Sequence, residues 1–129
     1  MNEELLVCPL CGGDMTVKGN ALTCPKNHCF DRARQGYLNL LPVTQKHSKH
    51  PGDTRDMVAA RKAFLDRGYY APIAEKVAAM TVPLLPEDPV VLDAGCGEGY
   101  YMTFLQQRCA GGRFVGVDIS KDAVRYGAV

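Results

Sequence analysis

The chain has 129 residues, of which 47% are apolar and 22% charged, which is ordinary for one small folded domain. It contains no run of 18 apolar residues, and its acidic N-terminus lacks the basic start of a secretory signal, so we expect no membrane span and a cytoplasmic location. The formal net charge is only +1, yet residues 15–62 hold nine Lys or Arg against three acids. On charge alone, such a segment is more often a solvated face than a site for a polyanion.

The first predicted region, residues 1–45, contains a cysteine cluster. Cys8 and Cys11 form a CxxC pair, and Cys24 follows thirteen residues later, ahead of His28 and Cys29. In a reducing compartment this crowding indicates a metal site and not disulfides. Zn²⁺ prefers four sulfur or nitrogen ligands, so the three clear ligands leave His28 and Cys29 as alternatives for the fourth. Four protein ligands leave no open position, which predicts a structural zinc ion.

The residues between the cysteine pairs predict a β-hairpin. Two short β-type runs, 15–17 and 21–23, flank the turn residues Lys18-Gly19-Asn20. So short a segment cannot bury enough apolar surface to fold alone, and a metal ion would stabilise it. We therefore expect a zinc-binding ribbon over residues 1–45.

Residues 46–70 predict a basic link followed by a helix. A polar stretch ends at Pro51-Gly52, after which Asp53 is placed to cap a helix over 54–67. Apolar residues recur there at helical spacing, at Met57, Val58, Ala60, Ala63 or Phe64, and Leu65. Gly68 is placed to end the helix.

Residues 71–129 predict the start of an α/β domain. A helix is expected from Pro72 to about Met80, then a buried parallel strand over 90–94, a glycine loop, a helix over 100–107 and a second strand over 113–118. Ser120 is placed to cap the next helix.

The glycine loop follows the pattern D-x-G-x-G-x-G between strand and helix. It consists of Asp93, Gly95, Gly97 and Gly99 with the intervening residues, and Asp118 ends the second strand. Glycines allow the backbone to approach a ligand closely, and an acid at the end of the second strand can accept hydrogen bonds from ribose hydroxyls. A dinucleotide site favours G-x-G-x-x-G, so the spacing disfavours an oxidoreductase. No partner for Cys96 is close in sequence, and we expect it to fill space and not to act as a nucleophile.

Taken together, the two patterns resemble the N-terminal half of the 23S rRNA (guanine-N1)-methyltransferases. The matching segments are Cys8-Pro-Leu-Cys11, Cys24-Pro-x-x-His28, Phe30-Asp31, Gly36–Pro42, Pro51-Gly52-Asp53, Ala60-Arg61, Phe64-Leu65-Asp66 and Leu92–Tyr101. They run along the whole chain, and their combination is more specific than either half. The fold implied is α/β: a zinc ribbon followed by the first βαβ part of a class I, Rossmann-like, S-adenosylmethionine-dependent methyltransferase domain.

The resemblance also implies sites and partners. Zinc ligands would be Cys8, Cys11, Cys24 and His28, and the cofactor S-adenosylmethionine would contact Tyr70, Asp93, Gly95, Gly97, Gly99, Tyr101, Met102 and Asp118. Met102 stands where a Thr is expected, which weakens a side-chain role there. The substrate would be a 23S rRNA domain II hairpin, methylated at N1 of a guanine at position 745 or 748; some relatives give macrolide resistance, and a homodimer is compatible with the resemblance. Eight residues offer phosphate contacts or a stacking surface: Lys26, Arg32, Arg34, Tyr37, Lys46, Lys49, Arg61 and Lys62.

A class I methyltransferase sheet has seven strands, and two are expected here. We therefore expect the catalytic residues to lie beyond Val129 and the 129-residue chain alone to be inactive. Two alternatives stay open: a non-enzymatic zinc-ribbon module that binds RNA or protein, and a methyltransferase acting on a small molecule. Binding to RNA would weaken steeply with salt, whereas binding to a neutral small substrate would not.

Overall fold

The computed structural model describes residues 2–128, which separate into one unit ending at Lys46 and another from His47 to Ala128. The first unit contains a three-stranded antiparallel sheet of β1 (Thr16–Lys18), β2 (Ala21–Thr23) and β3 (Cys29–Asp31). The predicted hairpin is confirmed, since Val17 pairs with Leu22 across a turn in which Gly19 has a positive φ of 63°. Strand β3, which pairs Phe30 with Leu22, was not predicted.

Few side chains form the interior of the first unit. Leu22 is fully buried and Cys8 nearly so, at 0% and 1% exposure. Phe30 packs with Cys8 and Cys24, and the partly buried Met15 and Leu40 lie against them, along with Cys11. Because cysteine thiols make up much of this interior, apolar burial alone is a weak source of stability here.

The second unit places four helices around a parallel strand pair. Its elements are α1 (Arg55–Asp66), α2 (Ala71–Thr81), β4 (Val90–Ala94), α3 (Tyr100–Arg108), β5 (Arg113–Val117) and α4 (Lys121–Gly127). The parallel register runs from Val90 opposite Arg113 to Ala94 opposite Val117. Helix α1 packs against α4, and α2 packs against α3. The predicted strand–loop–helix–strand order is confirmed, as is the cap of α4, where the Ser120 hydroxyl accepts from the amide of Ala123 at 3.3 Å. Among the described helices, none is long and apolar enough to cross a membrane.

The expectation that the first parallel strand is buried was wrong for the described residues. Val90 and Leu92 on β4 are 52% and 64% exposed. The reason is that β5 is the single strand neighbour of β4 in this part of the chain. Continuous apolar composition predicts burial only when both faces of a sheet are covered.

The start of α1 differs from the prediction by one residue. Thr54, and not Asp53, is the N-cap, and its hydroxyl accepts a hydrogen bond from the amide of Met57 at 3.3 Å. Of the predicted apolar stripe, Val58 and Leu65 are buried, whereas Met57 is exposed. The helix ends as expected, with Gly68 at a φ of 80° just beyond the cap.

Replacing Thr54 tests the corrected cap. We expect Thr54→Ala to lower the free energy of unfolding by about 1 kcal/mol, because the amide of Met57 loses its partner. Thr54→Ser keeps the hydroxyl and should stay within about 0.5 kcal/mol of the parent protein. Denaturant unfolding of the three proteins measures this, and equal losses for Ala and Ser would contradict the assignment.

Candidate metal centre and cofactor pocket

Three sulfurs and one imidazole converge in the first unit. The Sγ atoms of Cys8, Cys11 and Cys24 and a ring nitrogen of His28 all lie within 4.8 Å of one another. The His28 Nδ1 atom is 3.4 Å from the sulfurs of both Cys8 and Cys24, and the sulfurs of Cys11 and Cys24 are 3.7 Å apart. Two ligand sulfurs of a tetrahedral zinc ion, with Zn–S bonds of about 2.3 Å, stand about 3.8 Å apart. The donor set and its spacing therefore fit structural zinc.

Two tight backbone turns position these ligands. In the first, the amide of Gly12 donates to the Cys8 carbonyl at 2.7 Å, with Gly12 at a φ of 70°. In the second, the amide of Asn27 donates to the Cys24 carbonyl at 2.9 Å, with Asn27 at a φ of 62°. Asparagine and glycine are the residues that best tolerate this left-handed conformation.

The start of β3 places His28, and not Cys29, beside the three cysteines. Cys29 is the first residue of that strand and is exposed, whereas His28 precedes it and joins the cluster. Burial of the Cys24 thiol opposes its ionisation, but hydrogen bonds from the backbone of His28 and Lys26 and from the thiols of Cys11 and Cys8 together lower its pKa to about 7. A thiol that ionises readily is a good metal ligand.

The glycine loop of the second unit joins β4 to α3. Gly95, Gly97 and Gly99 have φ values of 78°, 56° and 81°, which favour glycine strongly. The amides of Gly95 and Cys96 both donate to the Val117 carbonyl, at 2.8 and 3.0 Å. No heavy atom outside the adjacent residues lies within 4 Å of a Cβ built on any of the three glycines. The loop backbone thus faces open space that a ligand could approach.

Asp118 connects the glycine loop to the start of α4. Its Oδ2 atom accepts a hydrogen bond from the amide of Gly97 at 2.9 Å, and Oδ1 accepts from the amide of Ser120 at 2.8 Å. A carboxylate can accept about four hydrogen bonds, so both oxygens retain capacity for ribose hydroxyls. The Ser120 hydroxyl also donates to the Asp53 carbonyl at 3.0 Å, which ties the segment before α1 to the same place.

A cavity of about 170 Å³ lies beside this loop. Its wall combines the loop and the strand ends with one face of α1, and consists of Asp53, Val58, Arg61, Lys62, Leu65, Asp93, Gly95, Cys96, Gly97, Glu98, Tyr100, Tyr101, Asp118 and Ala123. The volume of this cavity is below the roughly 300–1,000 Å³ of a typical small-molecule site. The cavity as described can hold only part of a ligand as large as S-adenosylmethionine.

Five of the eight cofactor residues predicted from the resemblance line the cavity: Asp93, Gly95, Gly97, Tyr101 and Asp118. Three do not. Gly99 is the N-cap of α3, and the Tyr70 ring packs edge-on against Phe64 at 5.1 Å between centroids. Met102 lies against β5, with its methyl group 3.1 Å from the position of a Cβ added to Gly116. The cofactor contacts of all eight residues remain predictions.

Acidic groups dominate one side of the cavity. Burial, and then the nearby charge of Asp118, raise the pKa of Asp93. Burial and the charges of Asp93 and Asp118 raise the pKa of Cys96 to about 11. Crowded carboxylates favour a ligand with positive charge, such as a sulfonium or ammonium group, and oppose a pyrophosphate.

The contribution of α1 was missed at the sequence level. Val58, Arg61, Lys62 and Leu65 share one helical face, and all four line the cavity. Lys62 Nζ lies 3.1 Å from Asp66 and 3.7 Å from Glu98 of the glycine loop. The spacing alone identifies the face, but its orientation depends on how α1 packs against α4.

Two family models match this chain, one over the metal cluster and the other over the glycine loop. Residues 6–49 match the family model described as RlmA, N-terminal, a zinc ribbon, and residues 91–128 match a methyltransferase domain. The chain thus combines a structural zinc ribbon with a methyltransferase domain, for which S-adenosylmethionine is the cofactor.

Three relatives of the chain carry the name of 23S rRNA (guanine-N1)-methyltransferases. The chain is 38% identical to the 23S rRNA (guanine(748)-N(1))-methyltransferase of Streptomyces fradiae, with 95% of this chain and 44% of that protein aligned. It is 35% identical to a candidate 23S rRNA (guanine-N1)-methyltransferase of Micromonospora griseorubida, over 99% of this chain and 50% of the relative. A candidate enzyme of the same kind from Bacillus subtilis is 30% identical, over 91% of this chain and 43% of its own length.

The chain therefore spans about half the length of the curated relatives it matches. Its resemblance to the N-terminal half of the 23S rRNA (guanine-N1)-methyltransferases, expected from the motifs, is confirmed.

Substituting His28 and Cys29 separately tests which of them is the fourth zinc ligand. We expect His28→Ala to weaken zinc binding by more than the roughly 10–100-fold typical of an outer-shell change, because one of four ligands is lost. Cys29→Ser is the matched control and should retain one zinc ion per chain, since this thiol is exposed outside the cluster. Competition with a chromogenic chelator measures both affinities, and zinc loss confined to Cys29→Ser would overturn the ligand set.

The reactivity of Cys96 tests the electrostatics of the cavity. With a pKa of about 11, about one Cys96 thiol in a thousand is ionised at pH 8, so alkylation by iodoacetamide should be slow. The exposed Cys29 is the internal comparison, and mass spectrometry of timed digests gives both rates. Alkylation of Cys96 as fast as that of Cys29 would show that the acidic, buried environment is wrongly assigned.

Proposed function

We propose that the protein containing this chain transfers a methyl group from S-adenosylmethionine to N1 of a guanine in a domain II hairpin of 23S rRNA, at a position of the 745 or 748 type. The observation that carries the proposal is the presence, in one chain, of the Cys8, Cys11, Cys24 and His28 cluster and the 93–99 glycine loop. The Streptomyces fradiae relative is named for position 748, which supports this substrate class.

In this proposal the second unit binds the cofactor, which supplies an electrophilic methyl group. The open face of the 95–99 loop accommodates the amino-acid part, and Asp118 accepts hydrogen bonds from the ribose. The acidic side of the cavity, with Asp93, stabilises the positive charge of the bound molecule. These residues bind and orient the cofactor and perform no proton transfer.

The first unit recognises RNA in this proposal. Lys18, Lys26, Arg34 and Lys46 are exposed on it, so their charges are available to phosphates. Arg32 differs from them because it forms an ion pair with Glu3. The target guanine must leave its stack to reach the cofactor, which is easiest in a hairpin loop.

We also infer that the 129-residue chain alone does not methylate RNA. The described residues supply two parallel strands of the sheet, and the chain aligns with 44% and 50% of the length of two relatives. The intact protein is therefore the material for the following test.

Replacing Asp118 in the intact protein tests the proposal. We expect Asp118→Asn to raise KM for S-adenosylmethionine about tenfold or more, because the side chain loses its charge and its single oxygen can accept from Gly97 or from Ser120 but not from both. Asp122→Asn makes the same change of charge on α4, outside the cavity, and should leave KM unchanged. The measurement is transfer of labelled methyl groups to a 23S domain II hairpin.

The modified position is read by reverse transcription, since a methyl group at N1 blocks Watson–Crick pairing and stops extension. A stop at a loop guanine supports the proposal. Label found only in a small molecule or a protein, with no stop in RNA, would exclude an rRNA methyltransferase.

A further inference from the structure

The cavity beside the glycine loop is lined by both acidic and basic side chains. Four of the lining residues are acidic (Asp53, Asp93, Glu98 and Asp118) and two are basic, Arg61 and Lys62. A ligand that carries both signs of charge is the best match for such a wall, because each of its charged groups can meet an opposite one. S-adenosylmethionine is such a molecule, with a sulfonium, an ammonium and one carboxylate group.

Lys62 and Arg61 differ in whether a nearby acidic group already neutralises their charge. Lys62 lies between Asp66 and Glu98, and the hydrogen bond that it donates to Asp66, together with the charge of Glu98, raises the pKa of Lys62 against the opposing effect of burial. Its charge is also 5.9 Å from the ring centre of Tyr126. Arg61, by contrast, has no ion-pair or hydrogen-bond partner within residues 2–128 and is exposed at the cavity wall.

The position of Arg61 is fixed by its helix. Val58 and Leu65, one turn before and after it on the same face, are 4% and 2% exposed. The N-terminus of α1 is held through the Thr54 cap and through the hydrogen bond from Ser120 to Asp53. The guanidinium therefore starts from a fixed backbone position beside the glycine loop, and its side chain need not break an existing ion pair to bind a ligand.

We propose that Arg61 binds the α-carboxylate of S-adenosylmethionine and so selects a cofactor with an intact amino-acid part. This inference rests on the proposed function. A guanidinium donates two parallel hydrogen bonds to a carboxylate, a geometry that lysine cannot reproduce. The sequence suggested that Arg61 contacts RNA phosphate. In this proposal it is instead a cofactor-specificity residue.

Two cofactors that differ only in this group provide the test. Titration calorimetry on the intact protein compares S-adenosylmethionine with decarboxylated S-adenosylmethionine, which lacks the α-carboxylate. We expect Arg61→Met to weaken binding of the first by about 10–100-fold and to leave binding of the second unchanged. Arg55→Met is the matched control, an exposed arginine on α1 outside the cavity wall, and should change neither affinity.

A second variant keeps the test independent of folding. Arg61→Lys retains the charge but loses the paired donors, so we expect an intermediate loss, restricted to the carboxylate-bearing cofactor. Equal weakening of both cofactors by Arg61→Met and by Arg61→Lys, or no effect of either variant, would overturn the assignment. So would unchanged cofactor affinity combined with weaker binding to the 23S hairpin and a smaller salt dependence, which would identify a phosphate contact.

The failure of this inference is distinguishable from failure of the proposed function. If the unsubstituted protein binds neither cofactor, both are wrong. If it binds S-adenosylmethionine but does not distinguish it from the decarboxylated form, the role of Arg61 is wrong and the methyltransferase proposal is unaffected.

Discussion

The hydrogen bonds of the Asp118 carboxylate are the interaction on which the cavity beside the glycine loop depends. One oxygen holds the amide of Gly97 at 2.9 Å and the other holds the amide of Ser120 at 2.8 Å. A single side chain at the end of β5 thereby fixes both the loop after β4 and the start of α4. Ser120 extends this connection to the segment before α1 through the Asp53 carbonyl. The parallel pairing of β4 and β5 is what brings these groups together.

The stability of the first unit depends on metal ligands more than on apolar packing. Its interior is too small for apolar burial to dominate, and its most buried residues include two of the cysteines, Cys8 and Cys24. A tetrahedral ion bound by four side chains would stabilise this unit far more than the few apolar contacts do, since structural zinc contributes on the order of 10–16 kcal/mol in small zinc-binding peptides.

Local features of the fold were predictable from the sequence. The hairpin at Gly19, the strand over 90–94 and the Ser120 cap each depend on residues close together in the chain, and each was predicted correctly. The cap of α1 was misplaced by one residue because Asp53 and Thr54 are both good capping residues, and only the backbone conformation distinguishes them.

What sequence alone could not decide depends on contacts between distant residues. Spacing left His28 and Cys29 nearly equal, and the start of β3, a strand paired with β2, separates them. Likewise, Arg61 and Lys62 were interpreted as phosphate contacts, because nothing local shows that α1 turns this face toward the glycine loop. Once α1 packs on α4, the same residues line the cavity with Asp93 and Asp118.

We propose above all that the 93–99 loop and Asp118 bind a sulfonium nucleoside and not a dinucleotide. Parallel calorimetric titrations of the intact protein with S-adenosylmethionine and with NAD test it most directly. We expect one S-adenosylmethionine bound per chain and no heat from NAD, because the crowded carboxylates repel a pyrophosphate. Binding of NAD in preference, or no binding of S-adenosylmethionine by the zinc-loaded protein, would contradict it.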